Sequence, residues 1–296
     1  MTTRTRAETV LLSMTLIWGS TFVIGKYVLE EVSPLYMISI RFTLATLILL
    51  AFFFRSIFPL RRDQVVKGGI LGLFLFLGFV AQNIGLTITT ASKSAFITGM
   101  MVVFVPLVQI VVERRAPKLG NIVGVLIVSL GLWFLTSPAG AAFNAGDALT
   151  LLCALLFAIY IVYLDVIAGE MTAVQLTFVQ IAWNAVLALA ATMFFETTPL
   201  RISVGRGTAL LFLTLFATLM TTFLQTKFQK DTTPTRATII FSVEPVWAVL
   251  TAALFLGEYL TWLGILGGVL ILGGVLVSEL SDSIPMLNRS FDVDEP

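Results

Sequence analysis

Two charged residues stand alone in long apolar stretches, Arg41 within 35–54 and Glu244 within 237–256. A charge in the middle of a bilayer costs about 2.5–3.5 kcal/mol even on the lenient insertion scale, so each needs a partner or water. Three chemistries are open to them. They could pair with each other, they could contact a ligand, or Glu244 could carry a proton. A plainer reading has Glu244 hold its own helix by hydrogen bonds beside Pro245. Pro106 and Pro245 each remove a helix hydrogen bond and mark candidate kinks or gating points, although prolines are common in membrane helices.

The uncharged polar residues form stripes. Trp18, Thr21 and Gly25 share a helix face in LIWGSTFVIGK. Trp18 falls near the middle of its stretch, away from the interface where tryptophans usually anchor, and its indole N–H needs an acceptor. Gly19, Ser20 and Gly25 read first as small residues for close helix packing. Lys26 is close enough to the end of the stretch to snorkel. Thr177, Gln180 and Asn184 align at spacings of three and four, as do Thr214, Thr218, Thr221 and Gln225. Threonine can satisfy itself on its own helix carbonyls. Glutamine and asparagine are costly in lipid and must face other helices or water. Gln82, Gln180, Gln225 and Tyr160 therefore join Trp18, Thr21, Arg41 and Glu244 as candidate substrate-binding residues.

Other chemistry is excluded. There is no histidine, which removes imidazole-based metal sites and Ser–His catalysis. The single cysteine, Cys153, allows no disulfide framework. The phosphate-cradling pattern G-x-x-x-x-G-K-[ST] is absent. Nothing calls for a cofactor or a nucleic acid.

The elements that must position these residues follow from composition. The chain of 296 residues is 58% hydrophobic and 12% charged, against about a quarter charged in soluble proteins. Seven windows approach the roughly 20 apolar residues of a spanning helix with no charge: 68–86, 94–112, 120–137, 148–164, 173–195, 207–226 and 260–278. Three more, 10–29, 35–54 and 237–256, carry one charge each. Runs such as LLFLTLFATLM do not alternate, so a β-barrel is excluded. The longest connections expected are 55–67 and 196–206. With the N-terminus inside and the helices alternating, 13 of the 18 lysines and arginines fall inside and four outside; Arg41 lies within a helix. The positive-inside rule then places both termini in the cytoplasm.

The chain also repeats itself. Gln82 and Gln225, Thr89–Thr90 and Thr232–Thr233, Lys93 and Arg236, Gly124 and Gly267, and Gly131 and Gly274 are each 143 apart. Trp18 and Phe157, Thr21 and Tyr160, Arg41 and Gln180, and Pro106 and Pro245 are each 139 apart. The change of offset implies four extra residues between Lys93 and Pro106. The expected fold is thus an all-α membrane protein of ten transmembrane helices, in two five-helix repeats at 10–137 and 147–280. An odd helix count turns the second repeat over, giving the inverted topology found in many secondary transporters.

LIWGSTFVIGK followed by Pro34 and Arg41–Phe42, and Glu244–Pro245–Val246 followed by Gly257–Glu258 and a glycine-rich last helix, resemble the drug/metabolite transporter superfamily of EamA type. Pro106 and Glu113 echo the second pattern in the first half, and the resemblance spans roughly residues 10–280. It departs in the longer FITGMMVVFVPL segment and in a Glu113 with no preceding glycine. The resemblance implies a bundle that moves small metabolites, amino acids or drugs, usually outward, across a bacterial inner membrane. The expectation is a secondary transporter working by alternating access. The alternatives are an uncoupled channel or facilitator, and an intramembrane enzyme, for which Glu244 lacks a second buried carboxylate. Gly120-x-x-x-Gly124 and Gly264-x-x-x-Gly268 signal helix contacts within the chain or a homodimer face. The tail after Ser281 is expected to be disordered.

Overall fold

A computed structural model describes residues 2–114, 117–136, 143–197, 199–257 and 262–280. Arg115, Glu258, Arg289 and the tail from Ser281 lie outside the described residues. The described chain is helical throughout. The helices are α1 (Thr3–Leu29), α2 (Pro34–Ile57), α3 (Arg62–Ile88), α4 (Ala91–Val112), α5 (Leu119–Thr136), α6 (Ala145–Ile167), α7 (Ala173–Phe195), α8 (Val204–Asp231), α9 (Pro234–Phe255) and α10 (Trp262–Leu280). Eight of them are long and apolar enough to cross a membrane, and α5 and α10 are shorter apolar helices. The molecule is a multi-pass membrane protein. Its outward-facing side chains agree, since Phe52, Phe54, Met193, Phe194 and Trp262 are all exposed.

Local sequence starts the helices. Ser33, Thr90, Asn144, Thr172 and Thr233 each cap a helix by accepting a backbone N–H one turn on. Pro34 and Pro234 follow two of these caps, where a missing N–H costs nothing. The connection expected at 55–67 is mostly helix, because α2 runs to Ile57 and α3 begins at Arg62. At the end carrying the α1–α2 turn, Glu31 accepts the Ser203 backbone N–H at 3.0 Å and pairs with Arg206. The Ser203 bond holds this carboxylate below its usual range.

Two helices are broken and one is widened. α4 consists of Ala91–Gly99 and Met101–Glu113, with the break at Met100. α9 consists of Pro234–Phe241 and Glu244–Leu256, with the break at Ser242–Val243. Within α8, Leu213–Met220 takes the wider π-helical turn, a feature frequent at functional sites. Among the longest contacts, α5 lies along α10, α3 along α6, α2 along α7 and α1 along α9. The α5–α10 contact is within the chain and uses Gly124 against Gly274 and Gly131 against Gly267. A methyl group at Gly131 would sit 2.8 Å from the Gly267 carbonyl oxygen.

Candidate functional site

A cavity of about 650 Å³ lies inside the bundle, walled by α1, α2, α3, α4, α6, α8 and α9. Trp18, Thr21, Arg41, Gln82, Tyr160, Gln225 and Glu244 line it. Gln180 does not. It is fully buried one layer behind, where its carbonyl accepts the Tyr160 hydroxyl at 2.8 Å and its amide donates to Thr226 at 2.9 Å. Gln180 therefore positions Tyr160 rather than meeting the cavity itself.

Arg41 and Glu244 are not paired with each other. No ion pair joins them, because α2 and α9 hold them on different walls. The Arg41 guanidinium instead donates from Nε and Nη2 to the Thr218 hydroxyl, at 3.1 and 3.0 Å. Its Cζ stands 5.2 Å from the Phe79 ring centroid, within reach of the negative ring face. Thr218 lies in the π-helical turn and donates its own proton to Leu213 O, five residues back, which leaves its lone pairs for Arg41. The arginine is 3% exposed, with a hydroxyl and an aromatic face as its neighbours and no carboxylate among the described residues. Glu244, 8% exposed, begins the second piece of α9, where the helix N-terminus favours negative charge. Its carboxylate makes no hydrogen bond or ion pair among the described residues, so the plainer reading, a local helix bond beside Pro245, does not hold.

The polar lining is held from behind. Trp18 donates its indole N–H to Thr221 at 3.1 Å and meets Phe241 edge-on at 5.1 Å. Thr21 donates to the Trp18 carbonyl. Gln82 donates to Thr98 at 3.3 Å, and Gln225 to Gln229 at 2.9 Å. The α8 threonines bond their own helix as their spacing implied, and Thr218 and Thr221 also accept from Arg41 and Trp18. Lys26 does not simply snorkel, since its ammonium sits on the Leu86 and Thr89 carbonyls at the C-terminal end of α3. Pro245 lies two residues past the α9 break, but Pro106 lies inside a continuous helix, six residues beyond the α4 break. The α4 break thus falls at Met100, where no proline marks it. Among the described residues, no three of His, Cys, Asp and Glu come together as metal ligands.

The sequence reading missed much of the apolar wall. Leu75, Phe79, Met101, Phe157 and Phe241 line the cavity, with Thr98 and Thr222 among them. One signal was present: Phe157 is the repeat counterpart of Trp18. The others carry no distinguishing pattern, because an aromatic or aliphatic residue in such a helix faces lipid, core or cavity with equal plausibility.

Comparison with known proteins follows from this geometry. The EamA-like transporter family matches the chain twice, over residues 5–137 and 144–280. An uncharacterized transporter of Archaeoglobus fulgidus is 34% identical over 277 residues, covering 94% of this chain and 87% of its own. The uncharacterized inner membrane transporter YedA of Escherichia coli K12 is 27% identical over 279 residues, covering 90% and 89%. A protein of known crystal structure superposes with a TM-score of 0.78 at 17% identity, covering 94% of this chain and 97% of that one, a likeness of fold.

Proposed function

The chain belongs to the EamA-like transporter family, and from that premise we propose that it is a secondary transporter exporting small organic solutes by alternating access. The observation that carries the proposal is the internal cavity of about 650 Å³ with a cation and a carboxylate on different walls, neither neutralised by the other. Buried charges are costly unless paired. A solute bearing both an anionic and a cationic group would supply both missing partners at once, with Trp18, Phe79, Phe157 and Tyr160 as aromatic walls. A zwitterion such as an amino acid has that chemistry. Trp18, Thr21, Arg41, Gln82, Tyr160, Gln225 and Glu244 would contact it, with Gln180 behind. Glu244 is also the group best placed to exchange a proton.

The proposed architecture is two inverted five-helix repeats, 10–137 and 147–280, with both termini cytoplasmic in a bacterial inner membrane, as a monomer or homodimer. Three features support it. The breaks in α4 and α9, at Met100 and Val243, are 143 residues apart, the spacing of the sequence repeat. The Gly124–Gly274 and Gly131–Gly267 contacts exchange under the same offset. The charge distribution puts most lysines and arginines on the side of the N-terminus.

A thermal-shift screen of purified protein against amino acids, sugars and drugs identifies a ligand. Counterflow of that ligand, labelled, in proteoliposomes then tests mechanism. A carrier accelerates label uptake when unlabelled solute is loaded inside, and a channel does not. Arg41→Gln and Glu244→Gln are expected to abolish counterflow in protein that remains monodisperse. Counterflow at the wild-type rate in both variants would sink the assignment.

A further inference from the structure

Two buried ion pairs stand at opposite ends of the cavity. At one end, Glu8 of α1 accepts from Arg236 Nε of α9 at 3.0 Å, from the Thr232 hydroxyl at 2.9 Å and from Arg4 at 2.9 Å. At the other, Asp147 of α6 pairs with Lys93 of α4 at 2.5 Å and accepts the Thr89 hydroxyl at 2.7 Å. The ends are opposite because Lys26, at the far end of α1, bonds Thr89 and Leu86. Eighteen residues separate Glu8 from Lys26, about 27 Å of helix.

The two clusters have the same construction. Glu8 and Asp147 are 139 residues apart; Lys93 and Arg236, and Thr89 and Thr232, are 143 apart. Each carboxylate precedes an aromatic cavity residue by ten positions, Trp18 or Phe157. Each cation precedes another cavity residue by eight, Met101 or Glu244. Both pairs tie one half of the chain to the other, α1 to α9 and α6 to α4. Each cation rides on the short first piece of a broken helix, Ala91–Gly99 or Pro234–Phe241, with the break between it and the rest of that helix. Thr90 and Thr233 cap those pieces alike.

We propose that Glu8–Arg236 and Asp147–Lys93 are the two gates of the transport cycle, one at each mouth, and that opening a mouth breaks its pair while the other holds. The proposal rests on the alternating-access reading above. The side chains of Glu8 and Arg236 are 6% and 5% exposed, those of Asp147 and Lys93 0% and 15%. Separating a buried pair leaves two charges to be solvated, so a mouth closed by one reopens only when the short helix piece swings its cation into water. The breaks at Met100 and Ser242–Val243 provide the pivots beside the cavity. Both pairs are formed here, which makes this the state closed at both gates. Removing one pair therefore favours the conformation open at that mouth, and removing the other favours the opposite one.

The test needs no substrate. A Cys153→Ser, Thr222→Cys protein carries one thiol in the cavity, read with a membrane-impermeant maleimide on intact cells and on inside-out vesicles. Arg236→Gln is expected to raise labelling from the face bearing the N-terminus about tenfold or more and to lower it from the other face, and Lys93→Gln to do the reverse; a tenfold change corresponds to about 1.4 kcal/mol. Thr232→Val and Thr89→Val remove only a hydroxyl from each cluster and should shift labelling in the same opposite senses, by less; they decide the matter if the glutamine variants do not fold. Changes of the same sign at both clusters, or no change in folded variants, would overturn the gates. Failed counterflow alongside opposite labelling shifts would instead refute transport of that solute and leave the gates standing.

Discussion

Gly19 and Gly25 of the LIWGSTFVIGK stretch should respond in opposite ways to the same substitution. A β-carbon added at Gly19 would lie 2.5 Å from the Trp247 Cβ, 2.7 Å from the Glu244 carbonyl oxygen and 3.0 Å from the Ala248 nitrogen. Two of these are backbone atoms of α9, and the third is fixed to that backbone, so no rotamer change relieves the clash. α9 would have to move away from α1 at the start of its second piece. Overpacking of this kind costs about 1–3 kcal/mol, and the upper half of that range applies where backbone must yield. Alanine's helix preference over glycine returns about 1 kcal/mol, which leaves Gly19→Ala destabilised by about 1–2 kcal/mol. At Gly25 the added carbon would meet Leu86 Cδ2 at 3.5 Å and Met37 Cε at 3.6 Å, ordinary contacts with flexible side-chain ends. Gly25→Ala should keep the helix gain and be neutral or stabilised by up to about 1 kcal/mol. Thermal melting of the two detergent-solubilised variants checks this, with Gly19→Ala expected about 4 °C or more below Gly25→Ala. Because the displaced atoms belong to Glu244 and its neighbours, Gly19→Ala should also slow counterflow. Equal melting temperatures, or a Gly25→Ala as damaged as Gly19→Ala, would refute the claim that α1 and α9 touch through Gly19.

Two further outcomes follow from buried polar groups. Gln180→Leu removes the acceptor of the Tyr160 hydroxyl and the donor to Thr226, so it should cost about 1–3 kcal/mol in a melting assay and raise the half-saturating solute concentration in counterflow more than it lowers the maximal rate. Asn184 is fully buried, and neither its amide nitrogen nor its oxygen has a hydrogen-bond partner among the described residues. Asn184→Leu should therefore melt at or above the wild-type temperature, since it removes a desolvation penalty of about 1–3 kcal/mol; a large loss would show that the side chain has an acceptor or donor in the working protein.

How much of this was legible beforehand differs by kind of information. Helix positions were legible because hydropathy over about 20 residues is a local property of the chain. So was the importance of Trp18, Arg41 and Glu244, since a charge or an indole N–H in lipid is conspicuous whatever surrounds it. The partners were not legible. Arg41 had a carboxylate, Glu244, as its only evident counterpart, yet it bonds Thr218, because a π-helical turn in α8 brings that hydroxyl to it. Gln180 was indistinguishable from Gln225 as a polar residue on a striped helix, and only the packing of α7 against its neighbours turned it away from the cavity. The α4 break fell at Met100, with the expected culprit, Pro106, inside regular helix. Lys93 and Arg236 were recognised as counterparts through the repeat, but their carboxylates, Asp147 and Glu8, lie 54 and 228 residues away in sequence. By itself, then, the sequence determined which residues must be inside a membrane and which of them pay most to be there. The tertiary structure alone decided what each one faces, because the rotation of a helix about its axis and the identity of its neighbour are set by contacts between segments that the chain order does not bring together.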